Sequence, residues 1–247
     1  MSTSSVLYDA PGPKARRLSR VVSVLAAAVV GGAAVWLLWA LGQPRVTVNG
    51  AVLTGLWSPE RWDIFGDPRV WRRLMFDGLL MGTLRAAGLA AVLSLILGVV
   101  LCFARTAPRR WISVPAAIVL EFFRGMPVLL MMLFILLALG TGGYTAVVLA
   151  LTVYNGAIIG EALRAGLLAL PRGQREAGLS VGLTSLQTRL AVEFPQAFRQ
   201  MLPIIVAQLV VLLKDTSLAY VVSYPEILRV SGYLKDYYGS TRYSFSI

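Results

Sequence analysis

The chain has 247 residues, of which 57% are apolar and 14% charged, where a soluble domain carries roughly half and a quarter. Uncharged runs at 21–44, 86–104 and 125–160 meet or exceed the roughly 20 apolar residues that one helical crossing of a bilayer needs. These features exclude a soluble or disordered chain and disfavour an outer-membrane barrel, whose strands alternate apolar and polar residues. The expected fold class is an all-α polytopic membrane protein with about five transmembrane helices.

In chain order, residues 1–20 read as a basic cytoplasmic tail, with Lys14, Arg16, Arg17 and Arg20 just before the first apolar run. Residues 21–42 form an N-terminal anchor helix, and 43–75 an exterior loop broken by Pro44, Pro59 and Pro68. A second span covers 76–104 and ends at Arg105, Arg109 and Arg110, which return the chain to the cytoplasm. Gly140, Gly142 and Gly143 then supply a turn between a third span near 113–139 and a fourth near 144–168. The polar stretch 171–202 is a cytoplasmic loop, 203–223 a fifth span, and 224–247 an exterior segment without a sixth apolar run.

The sequence has no histidine, and its single Cys102 lies in an apolar run without a partner thiol. No metal, cofactor, disulfide or catalytic residue is expected, and no phosphate-binding loop of the G-x-x-x-x-G-K-[ST] form is present. Work driven by nucleotide therefore has to be powered by another subunit. The net charge of +11 is read as membrane orientation and lipid headgroup binding, with no nucleic-acid partner.

The polar loop contains Glu176-Ala177-Gly178, then Gly182 after three residues, and Val192-Glu193-Phe194-Pro195 after nine more. This resembles the E-A-A-x3-G-x9-I-x-L-P signature of ATP-binding-cassette importer permeases. Physically it reads as a helix, a glycine turn and a second short helix built to enter a groove on a partner. Five further segments are similar, in the same order, to permeases of the polar amino acid branch: Gly78–Leu84, Glu121–Pro127, Gly160–Gly166, Pro171–Ala177 and Lys214–Leu218, with Glu226 following at a familiar distance. The resemblance runs from about 76 to 230 and is greatest to glutamate permeases of high-GC Gram-positive bacteria. Relatives usually carry one more crossing after the glutamate, and many have a glutamine shortly after R-G-x-P where this chain reads Val128-Leu129-Leu130-Met131-Met132.

The resemblance implies a type I importer architecture with a permease core at 76–223 and a coupling loop at 171–202 in a bacterial plasma membrane, N-terminus inside. The implied partners are an ATP-binding subunit dimer, a second, related permease chain and an extracytoplasmic solute-binding protein, besides membrane lipid. Coupling to the ATPase falls to Glu176, Ala177, Gly178, Gly182 and Pro195. The substrate is expected to be glutamate or aspartate, with basic or other polar amino acids as the alternative and an ion-coupled secondary carrier as the rival from another class.

Intramembrane charges point the same way. Glu121 with Arg124, and Glu161 with Arg164, are three residues apart and share a helical face, and charges within a membrane are costly enough to suggest function. Lys214, Asp215, Thr216 and Ser217 interrupt the fifth span. With Thr83, Arg124 and Glu161 they are the candidate substrate pathway. Glycines 78, 82, 88, 98, 156, 160 and 166 are read as helix-packing positions.

Overall fold

The computed structural model describes residues 12–46 and 52–241, which fall into two compact units, one of the described residues up to 66 with 238–241 and one of residues 67–237. In the first unit, helix α1 (Pro13–Gly42) buries none of its residues, as a helix apolar on every face does when lipid is its solvent. It begins earlier than the apolar run, because Pro13 presets the helical φ of the first turn. Lys14, Arg16, Arg17 and Arg20 are thus its first turns, and residues 1–11 of the expected tail lie outside the described residues. Strands β1 (Arg45–Val46) and β2 (Val52–Leu53) pair antiparallel. Trp57 Nε1 donates to the Leu38 carbonyl at 2.9 Å and Trp62 Nε1 to that of Leu56 at 2.6 Å.

The second unit opens with α2 (Pro68–Arg105), whose first amides are met by Asp67 Oδ1, accepting from Arg69 N at 2.9 Å. It starts eight residues ahead of the span read at 76, because Asp67-Pro68 supplies a cap and a first-turn proline where the apolar pattern has not yet begun. Helices α3 (Arg110–Gly125) and α4 (Val128–Ala138) follow, bent by 104° at the break between them. Pro127 drives Met126 into extended backbone, ψ 132°, and so ends α3. The expected third span is therefore a broken pair. The described chain has four helices long and apolar enough to cross a membrane, or five with this pair counted as one crossing.

After Gly140, at φ +59°, comes α5 (Gly143–Ala169), the most enclosed helix. A short helix α6 (Arg172–Ser180) leads to α7 (Ser185–Tyr220), which tightens to 3₁₀ geometry at Thr216–Tyr220. The expected loop at 171–202 and span at 203–223 thus share one continuous helix. Last is α8 (Ile227–Thr241), 15 residues within the segment read as exterior and without a sixth apolar run. It is about 22 Å long, less than a hydrocarbon core; residues 242–247 lie outside the described residues.

The helices are seated by glycine notches. A Cβ on Gly98 of α2 would lie 2.8 Å from Ile159 Cγ2, and one on Gly160 of α5 would lie 3.0 Å from the Gly98 carbonyl oxygen. Gly156 faces Leu97 and Gly166 faces Met201 in the same way, whereas a Cβ on Gly88 would meet nothing within 4 Å, so its expected packing role is not borne out among the described residues. Gly78 and Gly82 receive the chain entering α8: a Cβ at Gly78 would lie 3.0 Å from Ile227 Cα, and one at Gly82 would collide with the Pro225 carbonyl.

Glu226, fully buried, accepts hydrogen bonds from Leu228 N at 2.8 Å and Arg229 N at 2.7 Å, capping α8. Burial pushes its carboxyl above the ordinary value of 4.5, with the two amides pulling the other way. A carboxyl whose folded pKa is raised contributes stability that is complete below its unfolded pKa and lost as pH rises through the folded one. Thermal unfolding of the purified chain in detergent should therefore show a declining stability component as pH rises above 4.5. Glu226→Gln, neutral and still able to accept, should flatten that component; an unchanged slope would place its source elsewhere.

Candidate coupling loop and polar sites of the spans

The polar loop between α5 and α7 folds because its own sequence closes each helix end. Helix α6 ends with Gly182 at φ +87°, a left-handed conformation open to glycine. Gly182 N donates to the Leu179 carbonyl at 3.1 Å and Leu183 N to that of Gly178 at 3.2 Å. Thr184 opens α7 with a reciprocal cap. Its hydroxyl accepts from Gln187 N at 3.3 Å, while Gln187 Oε1 accepts from Thr184 N at 2.8 Å.

The two helices meet at Gly178. A Cβ there would collide with Thr188 Cγ2, and both residues are buried in a loop that is otherwise largely exposed. Glycine in place of the signature's second alanine is thus what this packing requires. Glu176 and Ala177 lie on the exposed side of α6, and the Ala177 carbonyl accepts from Ser180 Oγ at 2.8 Å. Pro195 is exposed on α7. Val181, Leu186 and Leu190 are also exposed, 77%, 63% and 48%, so the loop presents an apolar ridge among polar groups, as a docking surface does. Arg189 fastens it to the helical core, donating from Nη1 to the Thr106 carbonyl at 2.7 Å and lying 3.8 Å from Glu193.

Beneath the loop lies a cavity of about 700 Å³ between the ends of α2 and α5, helix α6 and the start of α7. Arg105, Arg164, Arg172, Arg175 and Arg189 line it, against Glu176 and Glu193.

The candidate pathway residues separate into groups. Glu161 holds Arg164 through two contacts, 2.6 and 2.8 Å, half-buried in α5, and Arg124 and Arg105 lie within electrostatic reach of it. Arg124 pairs with Glu121 at 3.0 Å at the exposed end of α3. Thr83, buried, accepts from Ile227 N at 3.2 Å and so helps seat α8. Thr216 Oγ1 donates to the Leu213 carbonyl at 2.6 Å and Ser217 Oγ to that of Lys214 at 2.8 Å, where α7 tightens. Lys214 is exposed and Asp215 half-buried. Among the described residues no hydrogen bond or ion pair joins the 214–217 segment to Glu161 or Arg124.

One polar link was not foreseen. Asn155, fully buried in α5, accepts from Gln208 Nε2 of α7 at 2.8 Å and donates to the Leu151 carbonyl at 2.8 Å. Thr152, one turn back, is buried with no partner for its hydroxyl among the described residues. The spacing of Thr152 and Asn155 in an uncharged run was the available signal.

A membrane-spanning helical core carrying a capped helix–glycine turn–helix loop defines the permease class of ATP-binding-cassette importers. Residues 90–228 match the family described as binding-protein-dependent transport system inner membrane component, and the chain belongs to that family as a multi-pass amino-acid transporter permease. It is 35% identical over 183 residues to the glutamate transport system permease protein GluD of Corynebacterium glutamicum, covering 71% of this chain and 67% of that one. It is also 35% identical over 178 residues to the probable glutamine permease protein GlnP of Bacillus subtilis, covering 70% and 81%. A crystal structure of an amino acid ABC transporter with histidines superposes with a TM-score of 0.61 at 29% identity, covering 71% of this chain and 82% of that one.

The Gly178–Thr188 contact is the loop's own test. Gly178→Val should part α6 from α7 at a cost of about 1–3 kcal/mol, and trypsin should then cut at Arg172 and Arg175 roughly tenfold faster in the otherwise folded chain. An unchanged cleavage rate would mean that the contact does not hold the loop.

Proposed function

We propose that this chain is one permease subunit of a glutamate or aspartate importer, paired with a second, related permease, driven by an ATP-binding subunit dimer and fed by an extracytoplasmic binding protein. The observation that carries the coupling role is the closed, exposed helix pair α6–α7, with Gly182 at φ +87° between its halves. In this reading Glu176, Ala177, Gly178, Gly182 and Pro195 form the surface that enters a groove on the ATPase. Closure of the ATPase dimer moves the loop, and α7 carries the motion into the membrane as alternating access.

The N-terminus is cytoplasmic in this proposal. With α3 and α4 counted as one crossing, α6 is reached after four crossings and shares its side with Lys14, Arg16, Arg17 and Arg20, in keeping with the bias of basic residues. Thr83, Arg124, Glu161, Lys214, Asp215, Thr216 and Ser217 stay the proposed pathway, in which Glu161 with Arg164 and Arg124 offers both signs of charge to a zwitterionic amino acid. Thr83 and Thr216 contribute by fixing backbone. Similarity to both a glutamate and a glutamine permease supports a polar amino acid; the acidic one is favoured by the resemblance of the Glu121–Met132 run to glutamate permeases, with lesser support from the net positive charge.

Two outcomes test this. A Cβ on Gly182 would meet nothing within 4 Å, so a side chain there acts through φ. Gly182→Trp should lower ATP-driven uptake by the assembled transporter about tenfold, equivalent to about 1.4 kcal/mol of docking, while ATP hydrolysis persists or the ATPase dissociates. Undiminished uptake would remove the coupling assignment. In vesicles holding the complex and its binding protein, unlabelled glutamate or aspartate should compete for uptake and arginine should not; the reverse would change the substrate and leave the permease in place.

A further inference from the structure

The cavity beneath the loop is chemically lopsided. Its arginines outnumber its glutamates by three, and two of them are already engaged, Arg164 by Glu161 and Arg189 by Glu193 and the Thr106 carbonyl. Arg105, Arg172 and Arg175 have no ion pair among the described residues. Arg105 is half-buried at the last turn of α2, while Arg172 and Arg175 stand exposed on α6, one helical turn apart. The α6 start carries no side-chain cap and no acidic residue in its first turn, so its positive dipole end adds to theirs. The wall beside these guanidinium groups is apolar: Leu167, Leu168, Leu170 and Leu179. Leu168 is 67% exposed, on an apolar helix long enough to cross a membrane.

We infer that this cavity binds a phosphate group, held by Arg105, Arg172 and Arg175, and that the phosphate belongs to an anionic membrane lipid. Guanidinium forks match phosphate oxygens in pairs, and arginines at the ends of spanning helices stand at headgroup depth. The leucines give an acyl chain an apolar wall, which an inorganic ion would not use. An acidic protein segment would meet the exposed Arg172 and Arg175 but would make no use of the apolar Leu167–Leu168 wall. A lipid seated here touches the end of α2, the end of α5 and α6 together, and so fixes the base from which the coupling loop projects. The inference takes from the proposed function only that α6 lies at a membrane surface.

The test is retention of lipid by the full-length purified chain, without ATPase, in native mass spectrometry after incubation with equal phosphatidylglycerol and phosphatidylcholine. The chain should retain phosphatidylglycerol preferentially. The combined variant Arg105→Gln, Arg172→Gln, Arg175→Gln should lose that preference by at least about tenfold, since it removes all three basic groups that attract the anionic headgroup. The lysine counterparts should restore part of it, and Lys235→Gln on α8, which does not line the cavity, should leave it intact. Equal retention by the glutamine variant, with thermal unfolding matching the parent, overturns the proposal. Displacement of the lipid by millimolar inorganic phosphate would identify free phosphate as the occupant and overturn the lipid assignment. Loss of the bound lipid when the ATPase subunit is added would assign the cavity to the protein partner. Because the readout uses no ATPase and no transport, its failure leaves the coupling reading standing, and failure of Gly182→Trp to uncouple leaves this one.

Discussion

Helices surrounded by lipid gain nothing from apolar burial against one another, because acyl chains are as apolar as leucine; what remains is close packing and the few polar contacts that lipid cannot offer. The fold accordingly depends on the crossing of α2 and α5 through Gly98, Gly156 and Gly160, where the two backbones touch with no Cβ between them. Helix α5 is then enclosed along most of its length, and α3, α4 and α7 pack against it. Helix α7 is tied to it by Gln208–Asn155 and by Met201 against Gly166, and α3 reaches it through Leu120 at Gly160. A bulky residue at Gly98 would remove the reference surface for both ends of the molecule.

The spanning helices and the loop signature were legible because each rests on a local rule. An uncharged run of sufficient length is carried into the bilayer, and a glycine between two helical stretches marks the turn that joins them. What stayed hidden depends on partners distant in sequence. Nothing near Gly82 announces that the chain at Pro225 rests on it, and Glu226 reads as a lone charge until the amides of Leu228 and Arg229 turn toward it. Helix α8 was missed for that reason: its tyrosines and charges give no apolar run, and its order comes from a buried cap and a glycine seat on α2. The helix starts at Pro13 and Pro68 were missed differently, since hydropathy marks where lipid begins and caps mark where helices begin.

The candidate pathway shows the same limit at a finer scale. Charge in an apolar run flags Glu161, Arg124 and Asp215 equally, yet their surroundings differ. Glu161 sits half-buried between Arg164 and the more distant Arg124 and Arg105, whereas the hydroxyls of Thr216 and Ser217 bond back to their own helix. Hydroxyls that return to carbonyls of the preceding turn mark a change in helix geometry, and here α7 passes into a 3₁₀ segment. The Lys-Asp-Thr-Ser element therefore has a structural reason for its composition, whatever its side chains do toward substrate.

The continuity of α7 joins these regions mechanically. Treating residues 171–202 as a loop and 203–223 as a span leaves a flexible joint between coupling surface and membrane. The structure carries one helix across both, from Ser185, within the glycine-turn motif, for 36 residues to Tyr220, about 54 Å at the rise of an α-helix, with a π segment at Arg189–Glu193 and Pro203 inside it. A displacement of Gly182 relative to α6 must therefore be absorbed either at the Gly178–Thr188 contact or along the whole of α7. Gly178 leaves no room for the first, because Thr188 already fills the space a side chain would take. In the proposed transport cycle the motion consequently passes to the α5–α7 interface, where the Gln208–Asn155 hydrogen bond is buried and polar. Such a bond has discrete alternatives, partnered or exchanged, which makes it a more natural detent between two arrangements than an apolar contact that slides.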